Sequence, residues 1–170
     1  MHLNFGPRGI IQIDGAQICY RNFEGRKDQY NVAGKRNFSV IIDDEEIKDA
    51  LVNDVNEHGV GWNVKIKPPR DENDDVFMHM KVNVKFNGRG PKVYLVAGDG
   101  AQPIELDEED VKCLDDMDID YVDLDIRPYD DIIRGEAFRS AYLQEIWVHQ
   151  KVSRFAARYA AMRAEDKLDF

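Results

Sequence analysis

The sequence predicts a mainly β fold with a few helices (α+β). Five or more mostly antiparallel strands form a closed or nearly closed small barrel, with one helix inserted among the strands and another at the C-terminus. Three observations predict it. Apolar and polar residues alternate with a period of two through "WNVKIK", "VFMHMKVNVKF" and "VDLDIR", and alternate residues of a strand face opposite sides of a sheet. Helical patterns are few: Asp43–His58, a short acidic stretch at Asp107–Asp116, and the chain end. A length of 170 residues, 43% hydrophobic and 33% charged, fits one domain with a sizeable core and a tail.

Taken in order, Ile10–Phe23 mixes β-branched and aromatic residues around Asp14-Gly15, which reads as a turn. Gly25 to Gly34 is polar and reads as a long loop, and Asn37–Ile42 as a strand. In Asp43–His58, Ile47, Leu51 and Val55 recur at four-residue spacing behind Asp43-Asp44-Glu45-Glu46, acids that a helix dipole favours in its first turn. Trp62, Val64 and Ile66 then alternate with Asn63, Lys65 and Lys67. Val76, Met78, Met80, Val82, Val84 and Phe86 alternate with Phe77, His79, Lys81, Asn83 and Lys85. Gly88 to Gly90 reads as a tight turn before a strand in which Lys92 and Tyr94 oppose Val93 and Leu95. Asp107–Asp116 reads as a short acidic helix, Val122–Arg127 and Ala137–His149 as strands, and the region from Val152 as a terminal helix. A strand count of this kind suits an oligonucleotide-binding (OB) barrel of five strands. Residues 1–151 would form that domain, and 152–170 a C-terminal helix ending in a short acidic tip.

The formal net charge is −10, but the charge is segregated. Residues 105–132 carry thirteen acids and two cations, and 43–58 seven acids and one lysine. Residues 60–94 carry seven cations and four acids. Between Arg21 and Arg36 five cations meet two acids, with Phe23 and Tyr30 among them. An acidic protein can therefore present basic surfaces.

Rings beside cations suit a single nucleic-acid strand, whose backbone is charged and whose bases have flat faces to stack. On that reading Arg21, Arg26, Arg36, Lys65, Lys67, Lys81, Lys85, Arg89 and Lys92 contact phosphates, and Phe23, Tyr30, Phe77 and Tyr94 stack bases. Trp62 belongs to the core. The pleat should gather these residues along one trough.

Other chemistries find less support. Asp116, Asp118 and Asp120 open like a calcium loop, but Tyr121 stands where glycine is needed and Arg127 where glutamate is needed. No GxGxxG, GxxxxGK[ST], HExxH or GxSxG occurs, and the histidines are scattered, so no enzyme, metal site or cofactor is expected. Cys19 and Cys113 form no metal-binding pattern and read as separate thiols in a reducing compartment. No secretion signal or membrane-length apolar run is seen, and the cytoplasm is the expected location. The rival reading is an acidic protein-interaction module or scaffold that uses residues 105–132 and binds no DNA.

"NFEGRKDQYNVAGKRNFSVII" and "GWNVKIKPPRDENDD", then "VKFNGRGPKVYLVAG", "VDLDIRPYD", "AYLQEIWV" and "RFAARYA", resemble bacteriophage single-stranded DNA-binding proteins over about residues 10 to 160. The resemblance implies an OB-fold protein that coats and protects single strands during phage DNA replication and recombination, without base specificity, in the host cytoplasm. It also implies a phenylalanine-ended acidic tip, here Asp169 and Phe170, that recruits replication or recombination proteins. Self-association into a homo-oligomer is compatible with it.

Overall fold

Among the described residues the chain builds one nine-stranded sheet and the helix α1, and three further residues near the C-terminus are helical. The computed structural model describes residues 1–152 apart from Arg89, together with Phe155, Arg158 and Met162. In chain order the elements are β1 (His2–Phe5), a 3-10 turn (Pro7–Gly9), β2 (Ile11–Asn22), β3 (Arg36–Ile42) and α1 (Glu45–Asn53). There follow β4 (Val64–Lys67), β5 (Phe77–Val84), β6 (Lys92–Val96), β7 (Ile104–Leu106), a second 3-10 turn (Val111–Asp115), β8 (Ile119–Ile133) and β9 (Glu136–Gln150).

Hydrogen-bonded neighbours run β4-β5-β3-β2-β8-β9-β6-β7, with β1 on β2. The pairings are antiparallel except β6 with β9 and β5 with β9. The β5–β9 contact is the pair Asn83↔Tyr142, which brings together the two ends of the path β5-β3-β2-β8-β9.

Alternation fills the interior. Phe38, Val40 and Ile42 of β3, Met78, Met80, Val82 and Val84 of β5, and Val122, Leu124 and Ile126 of β8 are buried. They meet Ile11, Ile13 and Ala16 of β2 and Leu143, Ile146 and Val148 of β9 in one cluster. Leu143 and Ile146 are an odd three positions apart, yet both face inward, because the register shifts between Asp125 and Ile126 of β8 and leaves Gln144 unpaired. Past the core the β8–β9 hairpin continues outward to Arg134 and Gly135, whose φ values of 52° and 82° suit a two-residue hairpin turn.

In α1 Glu45 and Glu46 occupy the first turn, as the acidic start predicted, and the Asp44 carboxylate caps it by accepting from the Glu46 amide. The helix is shorter than its apolar spacing predicted, since Asp54 already has ψ 72°. Gly61 is required where the chain turns back, because a Cβ there would collide with the Val52 carbonyl.

Three element expectations are corrected. Asp14-Gly15 is a bulge inside the continuous strand β2, with the Gly15 amide donating to Asp123 over 2.9 Å, not a turn between two strands. The acidic stretch 107–116 forms a 3-10 turn over Val111–Asp115, and β1 and β7 were not foreseen. Ile66 is 53% exposed because β4 is the outermost strand of its sheet, beyond the reach of the core. Of the terminal helix, Phe155, Arg158 and Met162 are helical and exposed. The other residues from 153 onward, the tip residues Asp169 and Phe170 among them, and Arg89 lie outside the described residues.

Candidate nucleic-acid interface

The outward row of β5 is the spine of the candidate site. β4 places Lys67 beside Phe77 and Lys65 beside His79, while β3 places Ile41 beside His79 and Ser39 beside Lys81. Since Met78, Met80 and Val82 point inward, Phe77, His79 and Lys81 stand on the opposite face. Tyr20 reaches the same face from a bulge in β2 that shifts the register between Cys19 and Asn22. Its φ of 49° is uncommon for a bulky residue and re-aims the side chain.

The three rings form a cluster. Tyr20 lies 6.4 Å from Phe77 at 89° and 5.3 Å from His79 at 67°, and Phe77 lies 5.3 Å from His79 at 34°. Burial and, after it, the ammonium groups of Lys65 and Lys67 hold the imidazolium form of His79 down, below the ordinary histidine value. A hollow of about 480 Å³ opens between Tyr20, Phe77 and the Pro68–Asp75 loop, with Lys67 and Arg70 on its wall.

The loop after β2 is shaped by its own amides. Asn22 accepts from the Gly25 and Arg26 amides, and Asn31 donates to the carbonyls of Arg26, Val32 and Lys35. Tyr30 stands at 87% exposure on this loop, and Arg26 is exposed with Glu24 at 3.6 Å. Both remain candidates for contact with a ligand.

Three expected contact residues do other work. Phe23 is fully buried and stacks on Phe38 with centroids 5.1 Å apart, so its ring has no face for a base. Arg21 donates to the carbonyls of Leu114 and Met117 at 2.7 and 2.6 Å. Arg36 donates to the Phe23 carbonyl at 2.8 Å, pairs with Glu108 at 3.2 Å and lies over the Phe86 ring. The amides of Phe23 and Glu24 also donate to Asp115. The cations near the base of the loop thus hold the acidic 107–117 segment against it. Arginine suits this because its fork of N–H donors can satisfy several carbonyls at once.

The single trough is also corrected. Lys92 and Tyr94 lie on β6, away from β4 along the sheet path. Lys92 is level with Glu145 and Asp125, and Tyr94 with Trp147 and Asp123. The Tyr94 and Trp147 rings are 4.8 Å apart. Burial, then Glu145 and Asp14, push the Asp125 carboxyl above its usual range. These aromatics stand among acids, while Lys65, Lys67 and Lys81 keep company with Tyr20, Phe77 and His79. Lys85, the residue after β5, shares a cleft with Lys92. Trp62 is 3% exposed, as expected of a core residue.

The site residue that sequence reasoning missed is Tyr20. Its position next to the cationic loop was visible, but the bulge that turns it toward β5 has no simple pattern. His79 was placed on the lysine-bearing face by alternation, without a role. No group of three or more His, Cys, Asp or Glu side chains among the described residues is arranged to hold a metal ion. No helix among them is long and apolar enough to cross a membrane.

Comparison with known proteins places the chain in a family and a fold. A family model described as "Putative phage ssDNA-binding domain" matches residues 5–169. No curated protein matches the chain. Among solved structures, the single-stranded DNA-binding protein from bacteriophage Enc34 is similar at 12% identity and a TM-score of 0.55, over 90% of this chain and 87% of that one. The same phage protein in complex with ssDNA is similar at 13% identity and a TM-score of 0.52, over 90% and 93% of the two chains. Its C-terminally truncated form gives 13% identity and a TM-score of 0.52 over 89% and 91%. At such identities the structural likeness concerns the fold.

Proposed function

Because the chain belongs to the phage single-stranded DNA-binding domain family, we propose that it binds single-stranded DNA without reading its sequence and protects it during phage DNA replication or recombination. The observation that carries the site is the cluster of Tyr20, Phe77 and His79 on one outer face, flanked by Lys65, Lys67 and Lys81. Rings accept any base, since every base has a π-face, and ammonium groups follow the phosphates. Neither feature reads base edges. Tyr30 and Arg26 would close over the strand from the neighbouring loop.

On this reading β2, β3, β5, β8 and β9 are the five strands of an OB barrel, and the Asn83↔Tyr142 pair is its closure. Residues 1–151 act as the DNA-binding domain. The rings and lysines supply grip and stacking, so the role is binding and not catalysis. The tip, Asp169 and Phe170, recruits replication or recombination proteins in the host cytoplasm.

Fluorescence anisotropy with labelled oligo-dT and a mixed-sequence strand, at low and moderate salt, tests the proposal. Similar affinities for both strands are expected. The logarithm of the binding constant should fall with log salt by about 0.7 for each phosphate neutralised. Absence of salt-sensitive binding at low salt would overturn it in favour of a protein-interaction module.

A further inference from the structure

Lys85, Lys92 and Arg127 reach one cleft from three places: the residue after β5, the start of β6 and the middle of β8. The cleft holds about 410 Å³ and is also lined by Asn87, Gln144 and Glu145. Among the described residues none of the three cations takes part in an ion pair. Arg21, Arg36 and Arg139, by contrast, are spent on internal carbonyls and carboxylates. The one carboxylate lining the cleft, Glu145, accepts from the Trp147 indole at 3.1 Å. The Arg127 guanidinium lies 5.0 Å above the Tyr142 ring, which supports one face of the planar group.

Three cations meeting in an open recess, with polar Asn87 and Gln144 beside them, suit an anion with several oxygens. Arginine's fork matches phosphate oxygens in pairs, and lysines add point charge. The cleft lies at the far end of β5 from the ring cluster. The outward row Phe77, His79, Lys81, Asn83 and Lys85 joins the two, spanning roughly 26 Å at about 3.3 Å per residue. Asn83, one step before Lys85 on that route, is where β5 meets β9 at Tyr142.

We infer that the Lys85–Lys92–Arg127 cleft is a second subsite for the sugar-phosphate backbone, so that a bound strand runs along β5 and crosses the β5–β9 seam. This rests on the single-stranded DNA reading above. It assigns a binding role to Arg127, one of only two cations in the acidic stretch 105–132.

The test compares the wild type with the double variant Lys85→Ala/Arg127→Ala on oligo-dT of about 4 and about 16 nucleotides, the range of OB-fold site sizes. Thermal melting confirms that the variant is folded, and Lys112→Ala is a control on another exposed lysine. The long strand should bind roughly tenfold more weakly to the double variant, with its salt slope reduced by about 1.4, while the short strand, held at the rings, is unaffected. Unchanged affinity at both lengths would overturn the subsite and leave the binding function standing. Equal losses at both lengths would also overturn it, because the cleft would then belong to the ring site. Failure of the wild type to bind either strand would overturn the functional reading itself.

Discussion

Tyr20 stands edge-on to Phe77, their ring centroids 6.4 Å apart and their planes at 89°. A base laid on one ring therefore meets the edge of the other, an arrangement aromatic quadrupoles favour. Replacing Tyr20 or Phe77 by alanine should weaken oligo-dT binding by about 1–3 kcal/mol, the worth of one stacked base. Tyr20→Phe keeps the ring and should bind like the wild type. Anisotropy titrations check both, and a Tyr20→Phe variant as weak as Tyr20→Ala would shift the role from the ring to its hydroxyl.

Phe23 should behave in the opposite way. Its ring is fully enclosed against Phe38. Phe23→Ala removes a large buried side chain and leaves a cavity, which costs about 3–5 kcal/mol. Urea unfolding should show that loss, while the folded fraction keeps its affinity for DNA. Normal stability combined with weak binding would return Phe23 to the interface.

The contrast between these rings shows how far the sequence could be read. In β5, strict alternation placed Met78, Met80 and Val82 inside and Phe77, His79 and Lys81 outside, because pleat geometry follows directly from residue order. Around residues 20–23 the strand bulges and the period fails, so Phe23, expected at the interface, is buried, while Tyr20, given no role, is the ring that is exposed. The duties of Arg21 and Arg36 were hidden for another reason: their acceptors lie in a segment distant in sequence. Whether Lys92 shares a face with Lys65 depends on strand order, which one strand's pattern does not contain.

His79 gives the site a pH dependence. Tyr20 faces it from β2, Ile41 adjoins it from β3, Lys65 and Lys67 stand on β4, and Phe77 lies on its own strand. In the free protein burial and the two lysines lower its affinity for a proton. Phosphates beside Lys65 and Lys67 would offset that repulsion, so the DNA-bound state takes up a proton more readily. By linkage, affinity should rise as pH falls below about 6.5, the ordinary histidine value. His79→Phe keeps a ring and should flatten the profile measured at constant salt; an unaltered slope in that variant would assign the proton uptake elsewhere.

Arg139 locks the base of the β8–β9 hairpin. Its side chain is 7% exposed, grips both Asp130 oxygens at 2.7 and 3.1 Å, donates to the Asp54 carbonyl at 2.7 Å and lies 5.0 Å over Trp62. Trp62 in turn donates to the Asp54 carboxylate at 2.9 Å. The hydrogen bond from Arg139 is the main cause that holds the Asp130 carboxyl below its usual range. Arg139→Met would leave Asp130 and the Asp54 carbonyl without this partner. Asp130 is one-third exposed, so water screens part of the loss, and about 2 kcal/mol is expected. That corresponds to a melting temperature lower by about 4–8 °C. A carboxyl with a depressed folded-state pKa adds stability above its unfolded value of about 3.9 and loses it as pH falls through the folded value. The gap between wild type and Arg139→Met should therefore be full at neutral pH and narrow below about pH 4. A gap that stayed constant into that acid range would mean that packing on Trp62, and not the Asp130 pair, carries the stabilisation.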